Sequence, residues 1–174
     1  DTVNHQILLS KLNKYGVRGT AYQWLQSYLH DRTQYFQYNN TCSEQKIITC
    51  GVPQGSIFGP LLFLIYVNDI VNISDVLFPI LCADDKNIFI NGKNICDMVT
   101  TLNTELAKLV LWLNANKLSL NVGKSHYIVF SSPRRQVKID SSLNIIINKV
   151  PLNRKASTKF LGVLVDEKRN WHDH

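Results

Sequence analysis

No C-x-x-C pair, no apolar run of membrane-crossing length, no internal repeat and no low-complexity tract occurs in this sequence, and each absence removes a class of protein. Cys42, Cys50, Cys82 and Cys96 are widely spaced and have no nearby histidine to complete a zinc set. They read as reduced, partly buried thiols of an intracellular protein. His172 and His174 form a close pair, but two ligands in a frayed tail make a poor metal site. No stretch nears the roughly 20 apolar residues that cross a bilayer, and no signal-peptide pattern opens the chain, so no membrane partner is expected. The first residue is Asp1 rather than Met, as in a segment cut from a longer chain.

What is present is a globular composition: 45% hydrophobic and 18% charged residues over 174 positions, enough to bury a real core. Nineteen basic against thirteen acidic side chains give a formal charge of +6. That excess suits a polyanion, because phosphates release counterions to clustered Lys and Arg; it also suits a merely basic globular protein.

The stretch from Leu77 to Ile90 sets two apolar runs around Ala83-Asp84-Asp85-Lys86-Asn87, the pattern of a hairpin whose turn carries adjacent carboxylates. Neighbouring side chains on a strand point to opposite faces, so two adjacent aspartates serve one site only where the chain bends. Asp and Asn also favour turns for their own local hydrogen bonds, so a plain polar tip fits these residues as well.

Around this hairpin the spacing predicts further elements. Asn4 caps a helix with Ile7, Leu8, Leu12 and Tyr15 on its apolar side, and Gly16 stops it. A second helix runs from about Thr20 to His30, with Tyr22, Leu25, Tyr28 and Leu29 to one side. Segments 32–38 and 44–50 form a hairpin around Asn39-Asn40. Its Arg32, Gln34, Tyr35, Phe36 and Tyr38 interleave polar and aromatic groups, which fits either a half-buried core strand or a nucleic-acid contact. Gly51 to Gly59 is a loop, after which Ser56 and Pro60 open a helix through Leu61, Phe63, Leu64, Val67 and Ile70. Small residues there let a phosphate approach backbone amides.

Ile95, Met98, Val99, Leu102, Leu106, Leu109, Val110 and Leu113 mark a long amphipathic helix whose stripe is core. Strands are expected from about His126 to Phe130, along Leu143, Ile145 and Ile147, and from Phe160 to Asp166. Between them, Ser131 to Asp140 carries Pro133, Arg134, Arg135 and Lys138 as a basic exposed loop, either solvated or touching phosphate.

The block Gly51-Val52-Pro53-Gln54-Gly55-Ser56-Ile57-Phe58-Gly59-Pro60-Leu61-Leu62-Phe63-Leu64-Ile65-Tyr66-Val67-Asn68-Asp69-Ile70 resembles the GVPQGS-x-LGP-x-LF-x-IY-x-NDI signature of reverse transcriptases from non-LTR retrotransposons. Ala83-Asp84-Asp85 resembles that family's (Y/F)ADD box. Trp112 to Asn121 resembles its W-x-x-x-N-x-L-x-L-N pattern, with Lys124 in the N-x-x-K-(T/S) that follows, and Phe160-Leu161-Gly162 to Asp166 resembles its FLG-x-x-x-D element. The opening Asp1-Thr2-Val3-Asn4-His5 matches the end of the family's D-x-x-x-A-F-D motif, whose metal-binding aspartate is the first; that carboxylate and the fingers would lie upstream of Asp1.

The resemblance implies an α+β fold: a palm-like antiparallel sheet with helices on one face, the start of a thumb, and no fingers, all in one partial domain over residues 1–174. It implies an RNA-directed DNA polymerase that adds deoxynucleotides to a DNA primer on an RNA template. Asp84 would be the principal ligand and Asp85 its companion for Mg²⁺, two ions in the complete enzyme, with Mn²⁺ able to substitute. Lys124 would lie near the pyrophosphate; Pro53, Gln54, Gly55 and Ser56 would line the nucleotide pocket; Phe160, Leu161 and Gly162 would form the primer grip, an element of about 158–166. Asn68-Asp69 would be structural. Flanking domains of a polyprotein are expected as partners.

Two residues depart from the pattern. Cys82 stands where the family has Tyr or Phe, and Lys86 replaces the usual Thr after the aspartates, where an ammonium would either compete with Mg²⁺ for Asp85 or depress the carboxylate pKa and form a plain ion pair. The chain alone is expected not to polymerise, and a catalytically dead nucleic-acid-binding or interaction remnant of the same fold is the alternative.

Overall fold

The computed structural model describes residues 2–82, 85–130 and 143–168. It divides into two compact units, one of residues 1–72 with 113–118 and one of 73–112 with 119–174.

The first unit opens on α1 (His5–Lys14). Asn4 caps it by accepting a hydrogen bond from the Ile7 N–H at 3.1 Å. At the other end Gly16, at φ +91°, allows its own N–H and that of Val17 to reach the carbonyls of Asn13 and Leu12. This paired closure satisfies helix-end carbonyls that would otherwise lack donors. Leu8 and Leu12 are buried as expected, but the buried stripe continues through Lys11 while Tyr15 is exposed. α2 (Gly19–Leu29) follows, with Leu29 in the core.

The expected hairpin after α2 is broken into two short ladders. β1 (Thr33–Gln34) pairs with β4 (Lys46–Ile47), and inside it β2 (Gln37–Tyr38) pairs with β3 (Thr41–Cys42). Asn39 and Asn40, at φ +43° and +59°, make the tight turn; both central residues of such a turn need positive φ, which asparagine tolerates.

α3 (Phe58–Val67) begins beyond Ser56 and runs into a 3₁₀ turn, Asn68–Ile73. Its buried residues are Gly59, Leu62, Tyr66 and Val67, followed by Ile70 in the 3₁₀ turn. Of the expected stripe of Leu61, Phe63, Leu64, Val67 and Ile70, the last two are buried as expected, but Leu61 and Leu64 face outward and Leu62 and Tyr66 turn inward instead. Nearly every residue of this helix is apolar, so its sequence has no polar face to fix which side turns inward.

In the second unit β5 (Phe78–Cys82) pairs antiparallel with β6 (Asp85–Phe89). α4 (Ile95–Ala115) then buries Leu106 and Leu109, while its last turn places Leu113 in the first unit's core. β7 (His126–Tyr127) is shorter than the strand expected to reach Phe130. β8 (Ile146–Ile147) pairs with β9 (Val150–Pro151) across Asn148-Lys149, both at positive φ. Ile145 and Ile147 are buried, as their alternation predicts. β10 (Asn153–Arg154) pairs in parallel with β7.

The expected strand from Phe160 to Asp166 is instead a hairpin: β11 (Ser157–Phe160) pairs with β12 (Val163–Asp166), and Leu161-Gly162 is its turn. Gly162 at φ +86° supplies the backbone geometry that a continuous strand excludes.

Helices and small, mostly antiparallel strands therefore make a mixed α and β chain. Among the described residues the strands form six separate pairs rather than one sheet. No described helix is long and apolar enough to cross a membrane. All four cysteines are free and exposed, not partly buried; Cys42, Cys50, Cys82 and Cys96 lie on short ladders, a loop or a helix's first turn rather than in the core. The basic loop 131–140, the terminal pair His172 and His174, and Asp1 lie outside the described residues.

Candidate active site

The β5–β6 hairpin carries the carboxylates. Its register sets Phe78 against Phe89, Ile80 against Asn87 and Cys82 against Asp85, leaving Ala83-Asp84 as the two-residue connection. The connection, and with it Asp84, lies outside the described residues. Asp85 is exposed at the strand's start. Strand pleating sends successive side chains to opposite faces. Lys86, opposite Leu81, therefore leaves the strand on one face while Asp85 and Cys82 share the other.

Lys124 ends a 3₁₀ turn, Val122–Lys124, whose capping residue Asn121 accepts the Lys124 N–H at 3.2 Å. Next to it, the His126 ring places Nδ1 3.2 Å from the Lys124 carbonyl and Nε2 2.7 Å from the Thr158 hydroxyl. Thr158 is on β11, so one imidazole ties the lysine turn to the hairpin bearing Phe160, Leu161 and Gly162. That hairpin meets β6 as well: the Phe160 and Phe89 rings stand edge to face at 6.2 Å. Arg154 and Glu167, paired at 2.8 Å, fasten its far end. Within the second unit, the elements bearing Asp85, Lys124 and Phe160 are thus linked by side-chain contacts.

The loop bearing Pro53, Gln54, Gly55 and Ser56 belongs to the first unit. Ser56 is not the residue immediately before α3, which is Ile57, yet its hydroxyl still works on the helix start. It donates to the Pro53 carbonyl at 2.7 Å and accepts from the Gly59 N–H at 3.0 Å. A Cβ at Gly59 would come within 2.8 Å of the Pro53 carbonyl oxygen, so only glycine lets the loop fold back this closely. Gly55 sits at φ +77°, and Gln54 and Gly55 are exposed.

The base of the loop is clamped by groups no local pattern marks. Gly51 donates to the Val3 carbonyl at 2.8 Å, the His5 Nε2 lies 2.7 Å from the Gly51 carbonyl, and Asn4 bridges Cys50. Tyr66 is buried beneath: its hydroxyl accepts from the Asn4 N–H at 3.3 Å and donates to the Asn116 carbonyl at 2.6 Å. Burial pushes the Tyr66 phenol above its ordinary pKa; the bond from Asn4 pulls the other way and the nearby Asp69 charge adds to the rise. Lys11, also buried, donates to the Tyr66 carbonyl at 2.6 Å and to Asp69 at 2.7 Å. Asp69 is therefore a structural carboxylate, as the sequence suggested. His5, Lys11 and Tyr66 were missed as anchors because their partners lie 46 to 62 positions away.

Among the described residues no three His, Cys, Asp or Glu side chains cluster to hold a metal ion. The donor that is described, Asp85, is an exposed carboxylate, the hard oxygen type that suits magnesium.

Comparison with known proteins bears on the motifs directly. Residues 1–165 match the family model described as reverse transcriptase (RNA-dependent DNA polymerase). A probable RNA-directed DNA polymerase from transposon X-element of Drosophila melanogaster is 26% identical over 86% of this chain and 16% of its own length. That from transposon BS of the same organism is 27% identical over 100% of the chain and 20% of the relative. The RNA-directed DNA polymerase from its mobile element jockey is 26% identical over 88% and 17%. The chain spans a fifth or less of the length of these curated relatives. With the signature block, the aspartate hairpin and the lysine turn all inside the matched region, this chain belongs to the reverse transcriptase family, as a domain of the non-LTR retrotransposon type.

Proposed function

We propose that this chain is the palm and thumb-base part of an RNA-directed DNA polymerase that extends a DNA primer on an RNA template in an intracellular setting. The observation that carries the reading is the match over residues 1–165 together with the hairpin register that puts Asp85 at the tip beside Ala83-Asp84. Asp84 and Asp85 are the residues that would hold Mg²⁺, or Mn²⁺ in its place. Such ions, when bound, activate the primer hydroxyl and neutralise the leaving phosphate.

The chain's own residues do the rest. Gln54 and Gly55 line the seat of the incoming deoxynucleotide and template base, with Pro53 and Ser56 holding the loop's shape. Lys124 neutralises charge, or gives up a proton, at the departing pyrophosphate. Phe160, Leu161 and Gly162 hold the primer end, and the contacts of Phe160 with Phe89 and of Thr158 with His126 support that placement. The relatives' far greater length supports flanking domains in a parent polyprotein.

The first aspartate of D-x-x-x-A-F-D is not among these 174 residues, so the segment alone does not extend a primer. Primer extension on an RNA template with Mg²⁺ tests this. The expected result is no synthesis from the segment, and synthesis, abolished by Asp84→Asn, once the upstream motif is joined to it. Synthesis that Asp84→Asn leaves intact would sink the assignment. Synthesis by the segment alone that Asp84→Asn abolishes would keep the assignment and refute the inactivity.

A further inference from the structure

Tyr66 apart, most of the aromatic residues of the first unit lie at or near its surface. Tyr35, Phe36 and Tyr38 are 55%, 82% and 77% exposed, which removes the half-buried strand reading of this ribbon. Trp24, half exposed on α2, stacks on Tyr28 with ring centroids 5.4 Å apart and planes 14° from parallel. Phe58 closes the group, 5.3 Å from Trp24 and 6.1 Å from Tyr28. The Arg32 guanidinium carbon lies 5.1 Å from the Tyr28 ring centre. In the β1–β4 ladder Lys46 stands opposite Gln34, and the Ile48 N–H donates to the Arg32 carbonyl, so Arg32, Gln34 and Lys46 share one face.

We propose that Trp24, Tyr28, Phe58, Arg32 and Lys46 form a stacking platform for an unpaired nucleic-acid strand. The inference rests on the polymerase reading, in which that strand is the template. Base faces stack on exposed rings without regard to sequence, while cations at the platform's edge meet the phosphates. An apolar protein surface covering the same rings would have to strip water from Arg32 and Lys46 and return no charge, whereas a polyanion is matched by both ring and cation. The location agrees: Phe58 is the first residue of α3, two positions past Ser56, so the platform begins where the proposed nucleotide loop ends.

Fluorescence anisotropy of the 174-residue chain with labelled single-stranded RNA, single-stranded DNA and duplex, across a salt series, tests the platform. Trp24→Ala is expected to weaken single-strand binding about 5- to 150-fold without changing the salt slope, and Trp24→Phe to stay close to wild type. Arg32→Gln combined with Lys46→Gln is expected to flatten the slope by about 0.7 for each phosphate that is no longer neutralised. Far-UV circular dichroism confirms that each variant is folded, and Trp24→Phe retains a test if Trp24→Ala is not. Equal loss on RNA and DNA identifies stacking alone; a larger loss on RNA identifies the RNA template.

Single-strand binding untouched by Trp24→Ala would overturn the platform and leave the polymerase reading standing, since that reading is decided by primer extension and Asp84→Asn. No single-strand binding by the wild-type chain would overturn it too. So would salt-insensitive self-association that Trp24→Ala abolishes, which would make the surface a protein contact.

Discussion

Lys11 in the first unit and Glu105 in the second are both charged side chains taken out of water, and the chain treats them differently. The Lys11 ammonium has a carbonyl at 2.6 Å, a carboxylate at 2.7 Å and the Tyr66 ring 5.0 Å away. Glu105 has Lys108 at 2.7 Å on one oxygen, while the other is buried with no hydrogen-bond partner among the described residues. The Lys11 contacts join α1 to residues 55 and 58 positions away, whereas Glu105 is paired three positions along its own helix. Buried polar groups fix a fold's geometry when their partners are distant in sequence, and add little to it when the partner is local. The first unit is accordingly pinned by a long-range network around Tyr66. The second leans more on hairpins set by their own turns, joined by contacts such as His126 with Thr158 and Asn103 with Ile146.

Breaking the network has the largest expected effect. Lys11→Ala strands the Asp69 carboxylate and the Tyr66 carbonyl; with Asp69 36% exposed, the loss is expected near the low end for a broken buried pair, about 3 kcal/mol in urea unfolding. A loss under about 1 kcal/mol would show that the pair acts as an ordinary surface bridge. Tyr66→Phe removes one hydroxyl that serves both Asn4 and Asn116, and is expected to cost about 2 kcal/mol by the same measurement. Tyr66→Phe as stable as wild type would mean the hydroxyl does not pin the first unit.

The second unit is expected to yield to a backbone change instead. Gly162→Ala forces a side chain into φ +86° and is expected to cost about 1 kcal/mol, visible as loss of protection of the β11–β12 amides in hydrogen exchange. Unchanged protection would mean that the hairpin does not depend on its turn. The smallest effect is expected at Glu105, where Lys108 first and the Ser74 hydroxyl next hold the carboxyl below its ordinary value of 4.5; Ser74 does so without a formed bond to the buried oxygen. A depressed native pKa stabilises the fold above the unfolded value and is lost as pH falls through the native one. The melting-temperature gap between wild type and Glu105→Gln should therefore be widest near pH 7 and close as pH drops below about 4.5. A gap independent of pH would show that the ion pair contributes nothing.

Several elements that carry the candidate site residues were legible in the sequence because they are specified locally. The Asn4 cap and the Gly16 stop are decided within a few residues, and so is the aspartate hairpin of β5 and β6. The motif string from Gly51 to Ile70, together with Ala83-Asp84-Asp85, pointed to the family that the match over residues 1–165 shows. The FLG element was misread as one strand because alternating apolar residues look alike in a strand and in two paired arms; only the positive φ at Leu161 and Gly162 separates them. The first turns of α3, with Leu61 and Leu64, were misphased because a helix apolar on all sides has no polar face to orient it, while Val67 and Ile70 were read correctly.

The sequence by itself determined the Asn4 cap, the Asn39-Asn40 turn, the helix bounds to within a few residues and the order of the signature motifs. Each of these depends on side chains a few positions apart, whose interactions exist before any tertiary contact forms. Tertiary structure decided that Lys11 is buried and Tyr15 exposed, and that Tyr35, Phe36 and Tyr38 face solvent. It also decided that His5 holds the start of the loop carrying Gln54. Burial is a property of what lies across from a residue, and the partners of these side chains come from segments tens of positions away.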